Sequence, residues 1–411
     1  MKNKKGILIA CALVFLVFVP QINALLINSA HSPPLSFCIE QNTALSCQDQ
    51  TWSKTLGKLL SSEEGFSVQQ LNDGKYIVIG NADHENGDTW LVKMDTEGNI
   101  EWETHLGGKG RYVEETNDGG FIIATRGTRL LKTDADGNEV WSREYPGYMC
   151  GDRLVQQTED QGYILIASKD NNQQALLIKT DGNGNELWNR TYGGKKHDMG
   201  GSVQQTTDGG YIFTGLTSSY GIEESGKNKI WLVKTDSEGI EEWNTTLGAE
   251  GYVSRGFSVQ QCSDGGYAVG GISAQGGCLI KTDRQGKTEW KTYFDEYECT
   301  AIYSVQQTAD GGYILTGTSG GDFYVDSNLY LIKVDQHGAV QLVKIFGRPS
   351  YCEYGNCVRQ TSDGGYIVTG VKQRFKVYAG IAPLCLDMWV IKTDEQGKSD
   401  NVNYLRHPCF L

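Results

Sequence analysis

The residues of this chain that carry chemistry form a few groups whose spacing can be weighed. Asp134-x-Asp136-x-Asn138 and Asp181-x-Asn183-x-Asn185 present oxygens at alternate positions, as the first half of a calcium loop does. A complete loop adds a late bidentate carboxylate. The matching positions elsewhere read Asp236-x-Glu238-x-Ile240 and Asp283-x-Gln285-x-Lys287. Only the leading aspartate is shared, so a turn role is expected and no metal site. Gly317-Thr318-Ser319-Gly320-Gly321 matches G-x-S-x-G, but without the strand, sharp turn and helix that expose a nucleophile. Glu223 and Glu224 are an acidic pair, yet nothing sets two carboxylates across a cleft at glycosidase distance. The six histidines are scattered and no Cys-x-x-Cys occurs, which argues against zinc or haem attachment.

These residues sit on a repeat. Seven turn aspartates open variants of Asp-Gly-Gly-Tyr: Asp73, Asp118, Asp160, Asp208, Asp264, Asp310 and Asp363. Five residues before each stands a valine (Val68, Val113, Val155, Val203, Val259, Val305, Val358), the buried position of an innermost strand, A. An aromatic residue opens strand B: Tyr76, Phe121, Tyr163, Tyr211, Tyr267, Tyr313 or Tyr366. Strand C ends in Lys-Thr-Asp or a variant, and a second tight turn leads to strand D. Strand D carries Trp102, Trp141, Trp188, Trp243 or Trp290, with Leu342 in the sixth copy. The seventh copy has no strand D of its own, Asn401 standing where its tryptophan would be. The missing strand is at the other end of the chain, because Thr51-Trp52-Ser53-Lys54-Thr55-Leu56-Gly57 matches Glu242-Trp243-Asn244-Thr245-Thr246-Leu247-Gly248.

Four-strand units of ~50 residues whose last copy is completed from the first predict an all-β, seven-bladed β-propeller. The blades are four-stranded and antiparallel, and the N-terminal strand closes the ring. The expected domains are a leader over 1–24, a Cys-containing segment over 25–50, the propeller over 51–400 and a tail over 401–411. Lys2, Lys4 and Lys5, the apolar run Gly6–Val19 and Ala24 give the leader its secretory character. Export to the cell surface or medium is expected, with membrane contact only if the leader stays attached.

Lys132 to Trp141 and Lys179 to Trp188 read Lys-Thr-Asp-x-x-Gly-Asn-x-x-Trp. This resembles the tryptophan-docking motif of quinoprotein-like propellers in secreted bacterial and archaeal proteins. The whole chain looks like the exported Asp-Gly-Gly-Tyr-Ile repeat proteins. The resemblance covers about 51–400 and implies propeller packing. The adjacent cysteine pair and the Cys-x-x-Cys-His of the quinone-dependent enzymes are absent from the sequence, so no cofactor is expected.

The formal charge is −13, which repels phosphate backbones and excludes nucleic acid as the expected partner. Comparison of the copies shows where recognition belongs. The A–B and C–D turns, which share one face of a propeller, barely vary, whereas the B–C and D–A connections on the other face diverge. The long B–C loops carry Tyr220, Glu223 and Glu224 in blade 4, Phe323, Tyr324 and Asp326 in blade 6, and Arg374, Phe375 and Tyr378 in blade 7. Aromatic residues among polar ones suit a protein or polysaccharide partner. A monomeric, non-catalytic recognition or scaffold protein is expected. A carbohydrate-active hydrolase or lyase on the same face is the alternative, and a quinone-dependent dehydrogenase a more distant one.

Ten cysteines follow the leader, an even number that favours disulfides in an exported chain. Cys150, Cys278, Cys299, Cys352, Cys357 and Cys385 map to the variable face, with Cys278–Cys299 and Cys385 to Cys352 or Cys357 as candidate bridges. Cys38, Cys47 and Cys409 flank the closure strand, where one bridge would lock the ring. Cys262 lies at the opposite face. Glu114 and Arg359 interrupt a row otherwise filled by Gln69, Gln156, Gln204, Gln260 and Gln306, and are either a charge pair lining the axial channel or packing drift.

Overall fold

The computed structural model describes residues 51–58, 61–82, 87–148, 153–169, 174–222, 226–251, 254–319, 327–375, 385–400 and 402. The expected leader, the 25–50 segment and the tail other than Val402 lie outside them. Strand β1 (Trp52–Leu56) comes first. Blade 1 is β2–β5 (Glu63–Gln70, Tyr76–Ala82, Asp88–Met94, Ile100–Gly107) and blade 2 is β6–β9 (Gly110–Glu115, Phe121–Thr125, Arg129–Thr133, Glu139–Glu144). Blade 3 is β10–β13 (Val155–Gln157, Tyr163–Lys169, Gln174–Thr180, Glu186–Tyr192) and blade 4 is β14–β17 (Asp198–Gln205, Tyr211–Thr217, Asn228–Thr235, Glu241–Gly251). Blade 5 is β18–β21 (Arg255–Gln261, Tyr267–Ser273, Gly276–Thr282, Thr288–Tyr293) and blade 6 is β22–β25 (Cys299–Gln307, Tyr313–Ser319, Leu329–Val334, Val340–Phe346). Blade 7 joins β26–β28 (Glu353–Gln360, Tyr366–Gln373, Leu386–Thr393) to β1, in the order β1-β28-β27-β26. Every sheet is a four-stranded antiparallel meander, and Trp52 pairs with Lys392 as the ring closes.

The core lies between blades. Strand A valines are at most 4 % exposed, and the aromatic residues that open strand B are as deeply buried. Each strand D tryptophan leans over the next blade. Trp102 meets Phe121, Trp141 meets Tyr163, Trp188 meets Tyr211, Trp243 meets Tyr267 and Trp290 meets Tyr313, with ring centroids 5.7–6.1 Å apart. Trp52 repeats the contact across the closure, 5.5 Å from Tyr76, and its indole N–H donates to the Thr96 carbonyl at 3.0 Å. Gly98, at φ 76°, lies under that indole, and a Cβ there would stand 2.7 Å from the ring. The Asp-x-x-Gly of the C–D turn is thus a seat for the neighbouring tryptophan, since only glycine combines positive φ with so close an approach. Leu342 fills the same seat at Gly397.

The Val-Gln-Gln sequence of strand A staples the ring in both directions. The first glutamine's side-chain oxygen accepts a backbone N–H from the following blade. Gln156 takes it from Gln205 (2.7 Å), Gln204 from Gln261 (2.6 Å), Gln260 from Gln307 (2.7 Å) and Gln306 from Gln360 (2.6 Å). The second accepts one from the preceding blade, as Gln157 does from Asn117, Gln307 from Ser263 and Gln70 from Ser362 across the closure. Glu115 takes the second-glutamine place in blade 2 and accepts from Asn72.

Within each blade the strand C lysine reaches the A–B turn aspartate. Lys132–Asp118, Lys179–Asp160, Lys234–Asp208, Lys281–Asp264, Lys333–Asp310 and Lys392–Asp363 lie at 2.7–2.9 Å, while Lys93–Asp73 is longer at 3.9 Å. Six of these ammonium groups are buried, and each also donates to the carbonyl of the next residue, as Lys132 does to Thr133.

Candidate functional site

The face formed by A–B and C–D turns is chemically self-satisfied. Asp134 accepts the backbone N–H groups of Asp136 and Asn138 and the Asn138 side-chain amide, and Asp181 does the same with Asn183 and Asn185. The calcium-like sequences are therefore turns that hold themselves, as their spacing predicts. The A–B aspartates are bound from both sides. Burial would raise the Asp118 carboxyl, but bonds from Thr116, Lys132 and the Gly120 amide outweigh it and hold it at about 2. Ser319 of the G-x-S-x-G match ends β23, buried, and accepts hydrogen bonds from Asn328, so it is no exposed nucleophile.

Among the described residues, the connections of the opposite face do not repeat from blade to blade. Three D–A connections are held by a buried acid near the start of strand A. Glu63 accepts from the Ser61 hydroxyl and the Lys58 N–H. Asp198 accepts from the Gly194 N–H (2.7 Å) and the Ser219 hydroxyl (2.6 Å). Glu353 accepts from the Arg348 backbone (3.2 Å) and guanidinium (3.0 Å). These acids belong to none of the motifs that the sequence repeats. Their signal is an acid five or six residues after the glycine that ends strand D: Gly57, Gly193 and Gly347.

Of the residues expected at this face, Tyr220, Arg374 and Phe375 are described; Glu223, Glu224, Phe323, Tyr324, Asp326 and Tyr378 lie outside the described residues. Tyr220 is half-buried, tilted on Trp231 at 5.7 Å, and its N–H donates to the Thr217 hydroxyl. Arg374 is structural: it bonds Asp387, approaches Glu63 at 4.0 Å and donates to the Lys58 carbonyl, tying the end of β27 to the first connection of the ring. Among the described residues of this face Phe375 is a surface hydrophobe, 50 % exposed. The structure brings Arg374 to two buried acids but sets Tyr220 and Phe375 on different blades.

The cysteines divide. Cys150, Cys38, Cys47 and Cys409 lie outside the described residues. Cys278 in β20 and Cys299 at the start of β22 are buried thiols on adjacent blades, and burial pushes each up to about 12. A Cβ on Gly277 would lie 3.1 Å from the Cys299 carbonyl, so the two cysteine backbones are neighbours. Cys352 and Cys385 bond opposite sides of the β27 end, through the N–H of Gln373 and of Arg374 respectively. Cys357, expected at the loop face, is within β26, its Sγ directed at the Val68 carbonyl in the core between blades 7 and 1. Cys262 packs on the Tyr313 hydroxyl at 3.4 Å, and burial raises it to about 11.

Along the axis lies a cavity of 330 Å³ bordered by Ser67, Gln70, Tyr112, Glu114, Arg153 and Arg359. Glu114 keeps the acceptor role of the glutamine it replaces, taking the Gln157 N–H at 3.4 Å, and accepts from the Tyr112 hydroxyl at 2.9 Å. Burial raises its carboxyl above the ordinary range, although Arg153, Tyr112, Gln157 and Arg359 act the other way. Arg359 donates from Nη1 to the Ser304 hydroxyl and the Val358 carbonyl. Both residues that interrupt the glutamine row therefore face one cavity.

No protein-family model matches the sequence, and no curated protein matches it. Among solved structures the chain is similar to a catalytically inactive virginiamycin B lyase from Staphylococcus aureus with quinupristin, at 10 % identity and a TM-score of 0.56, covering 84 % of this chain and 99 % of that one. It is similar to the WD40 β-propeller domain of Doa1 at 12 % identity and a TM-score of 0.53, covering 82 % and 96 %. BamB from Moraxella catarrhalis aligns at 13 % identity with a TM-score of 0.43, covering 76 % and 81 %. At these identities the likeness concerns the fold alone. The class is settled by that fold: this chain is a seven-bladed β-propeller.

Proposed function

We propose that this propeller is an exported, non-catalytic recognition or scaffold module that engages a protein or glycan through its B–C and D–A loop face. The observation that carries the reading is the contrast between the faces. One repeats a turn whose polar groups bond one another; the other combines divergent connections, individually buttressed by Glu63, Asp198 and Glu353, with a half-exposed Phe375. A stiff ring that presents unlike loops suits binding. Export is supported by the basic, apolar start of the sequence.

The test is hydrogen exchange on the purified chain with partners drawn from a polysaccharide panel and from proteins of the producing cell's surface. Protection confined to peptides around Tyr220 and Phe375, and lost in Phe375→Asp without a change in melting temperature, supports the reading. Protection of the A–B turns, or saturable binding insensitive to Phe375→Asp, overturns the assigned face. Turnover of a polysaccharide by the chain overturns its non-catalytic character.

A further inference from the structure

The glutamine staple is incomplete at one junction, and the gap opens on the axial cavity. Six of the seven first-row positions supply an acceptor: Gln69, Glu114, Gln156, Gln204, Gln260 and Gln306 take the N–H groups of Glu115, Gln157, Gln205, Gln261, Gln307 and Gln360. The seventh is Arg359, and a guanidinium has no acceptor. The matching N–H is that of Gln70. It points away from the β2–β3 ladder, because Leu71 and Lys75 form the bonded pair next to it, and no described side chain accepts it. The Ser67 hydroxyl, on the same strand and 1 % exposed, is also without a partner. Its counterparts Ser202, Ser258 and Ser304 accept the valine N–H of the next blade. Two unmatched donors and two guanidinium groups thus border one cavity, whose lining also includes the acids Glu114 and Glu115, the Tyr112 hydroxyl and further glutamines of strand A.

We propose that the axial cavity binds a small hydroxylated carboxylate, of the class that contains hydroxy acids and uronic acids. One carboxylate oxygen stands where the seventh glutamine oxygen would be and accepts from the Gln70 N–H, while Arg359 and Arg153 neutralise the charge. A ligand hydroxyl donates to Glu114, whose oxygens each accept one bond already and have a lone pair to spare. Glu114 disfavours a dianion without hydroxyls, which separates this class from inorganic sulfate. The volume of 330 Å³ is that of a small-molecule site. The site is independent of the loop-face reading.

The test is calorimetry and saturation-transfer NMR on the purified full chain with sodium glucuronate, against glucose and sodium sulfate at matched ionic strength. Glucuronate is expected to bind at least tenfold more tightly than either control. Arg359→Gln restores the seventh acceptor, so it is expected to keep or raise the melting temperature while weakening glucuronate about ten- to hundredfold, the loss of one charged hydrogen-bonding partner. No saturable glucuronate signal, equal binding of sulfate, or R359Q affinity within threefold of the parent overturns the proposal. If R359Q does not fold, Glu114→Gln, which keeps an acceptor for the Gln157 N–H, must reduce the preference for glucuronate over sulfate at least threefold, and an unchanged preference overturns it.

Discussion

Replacing Trp52 by alanine tests whether the ring is closed by the same packing that joins its other blades. Trp52 is 7 % exposed, meets Tyr76 edge-on at 5.5 Å, covers Gly98 and donates to Thr96. Truncating a buried tryptophan costs about 3–5 kcal/mol, and the lost indole hydrogen bond adds about 1 kcal/mol. Unfolding entropy near 2.1 cal/mol/K per residue, over roughly 350 residues, gives about 0.7 kcal/mol/K. The expected fall in melting temperature is therefore about 6–8 °C. Trp290→Ala is the matched control, since Trp290 meets Tyr313 at 5.7 Å and covers Gly338. It is partly exposed and lies in a blade made of one continuous segment, so its expected loss is smaller. The variants also differ in kind. β1 pairs only with β28, and loss of Trp52 frees it to detach while the rest of the ring stays folded. Brief trypsin treatment below the melting temperature should then cut Trp52→Ala at Lys54 but leave Trp290→Ala uncut at Lys291. A shift under about 2 °C, or equal resistance at Lys54 in parent and variant, would falsify the closure argument.

Acid should loosen the ring. The Asp118 and Asp310 carboxyls are held at about 2, and Asp160, Asp208, Asp264 and Asp363 are lowered as well, against an ordinary value of 3.8. A lowered carboxyl stabilises the fold above its unfolded value and loses that contribution as pH falls through its folded one, so the melting temperature should drop between about pH 4 and pH 2. A flat profile there would refute the role of the lysine–aspartate pairs. Gln306→Ala and Gln307→Ala should each cost about 1–2 kcal/mol in urea unfolding. Their effects should add within about 0.5 kcal/mol, because Gln306 staples to blade 7 and Gln307 to blade 5. Strong coupling between them would show that the two rows act as one. Peptide mapping of the chain recovered from an oxidising compartment should find Cys278 linked to Cys299; two free thiols there would count against export.

The architecture was legible because a repeat writes its own alignment. Seven variants of the Asp-Gly-Gly turn, a valine five residues earlier and a tryptophan in strand D state the blade number, and the strand missing from the last copy reappears at Trp52. The physical reason is that periodic packing requires periodic side chains, so comparing copies reveals which positions face the next blade. Copies do not reveal what a single departure does. Glu114 and Arg359 stood out as interruptions 245 positions apart in the chain. Only ring closure sets them around one cavity, and only the register of the ladders shows that one keeps an acceptor and the other removes it. By sequence Arg374 is a loop cation expected to meet ligand, whereas the structure brings it to Asp387 and Glu63, the latter from the far end of the chain. The buried acids Glu63, Asp198 and Glu353 share only a loose spacing from the glycine after strand D, and three of seven copies carry it, so the sequence pattern does not say what each acid bonds. Local and repeated interactions are therefore determined by this sequence itself. Pairings between distant, unrepeated residues were decided by the tertiary structure, since they depend on where the closed ring places loops that have no counterpart in the other copies.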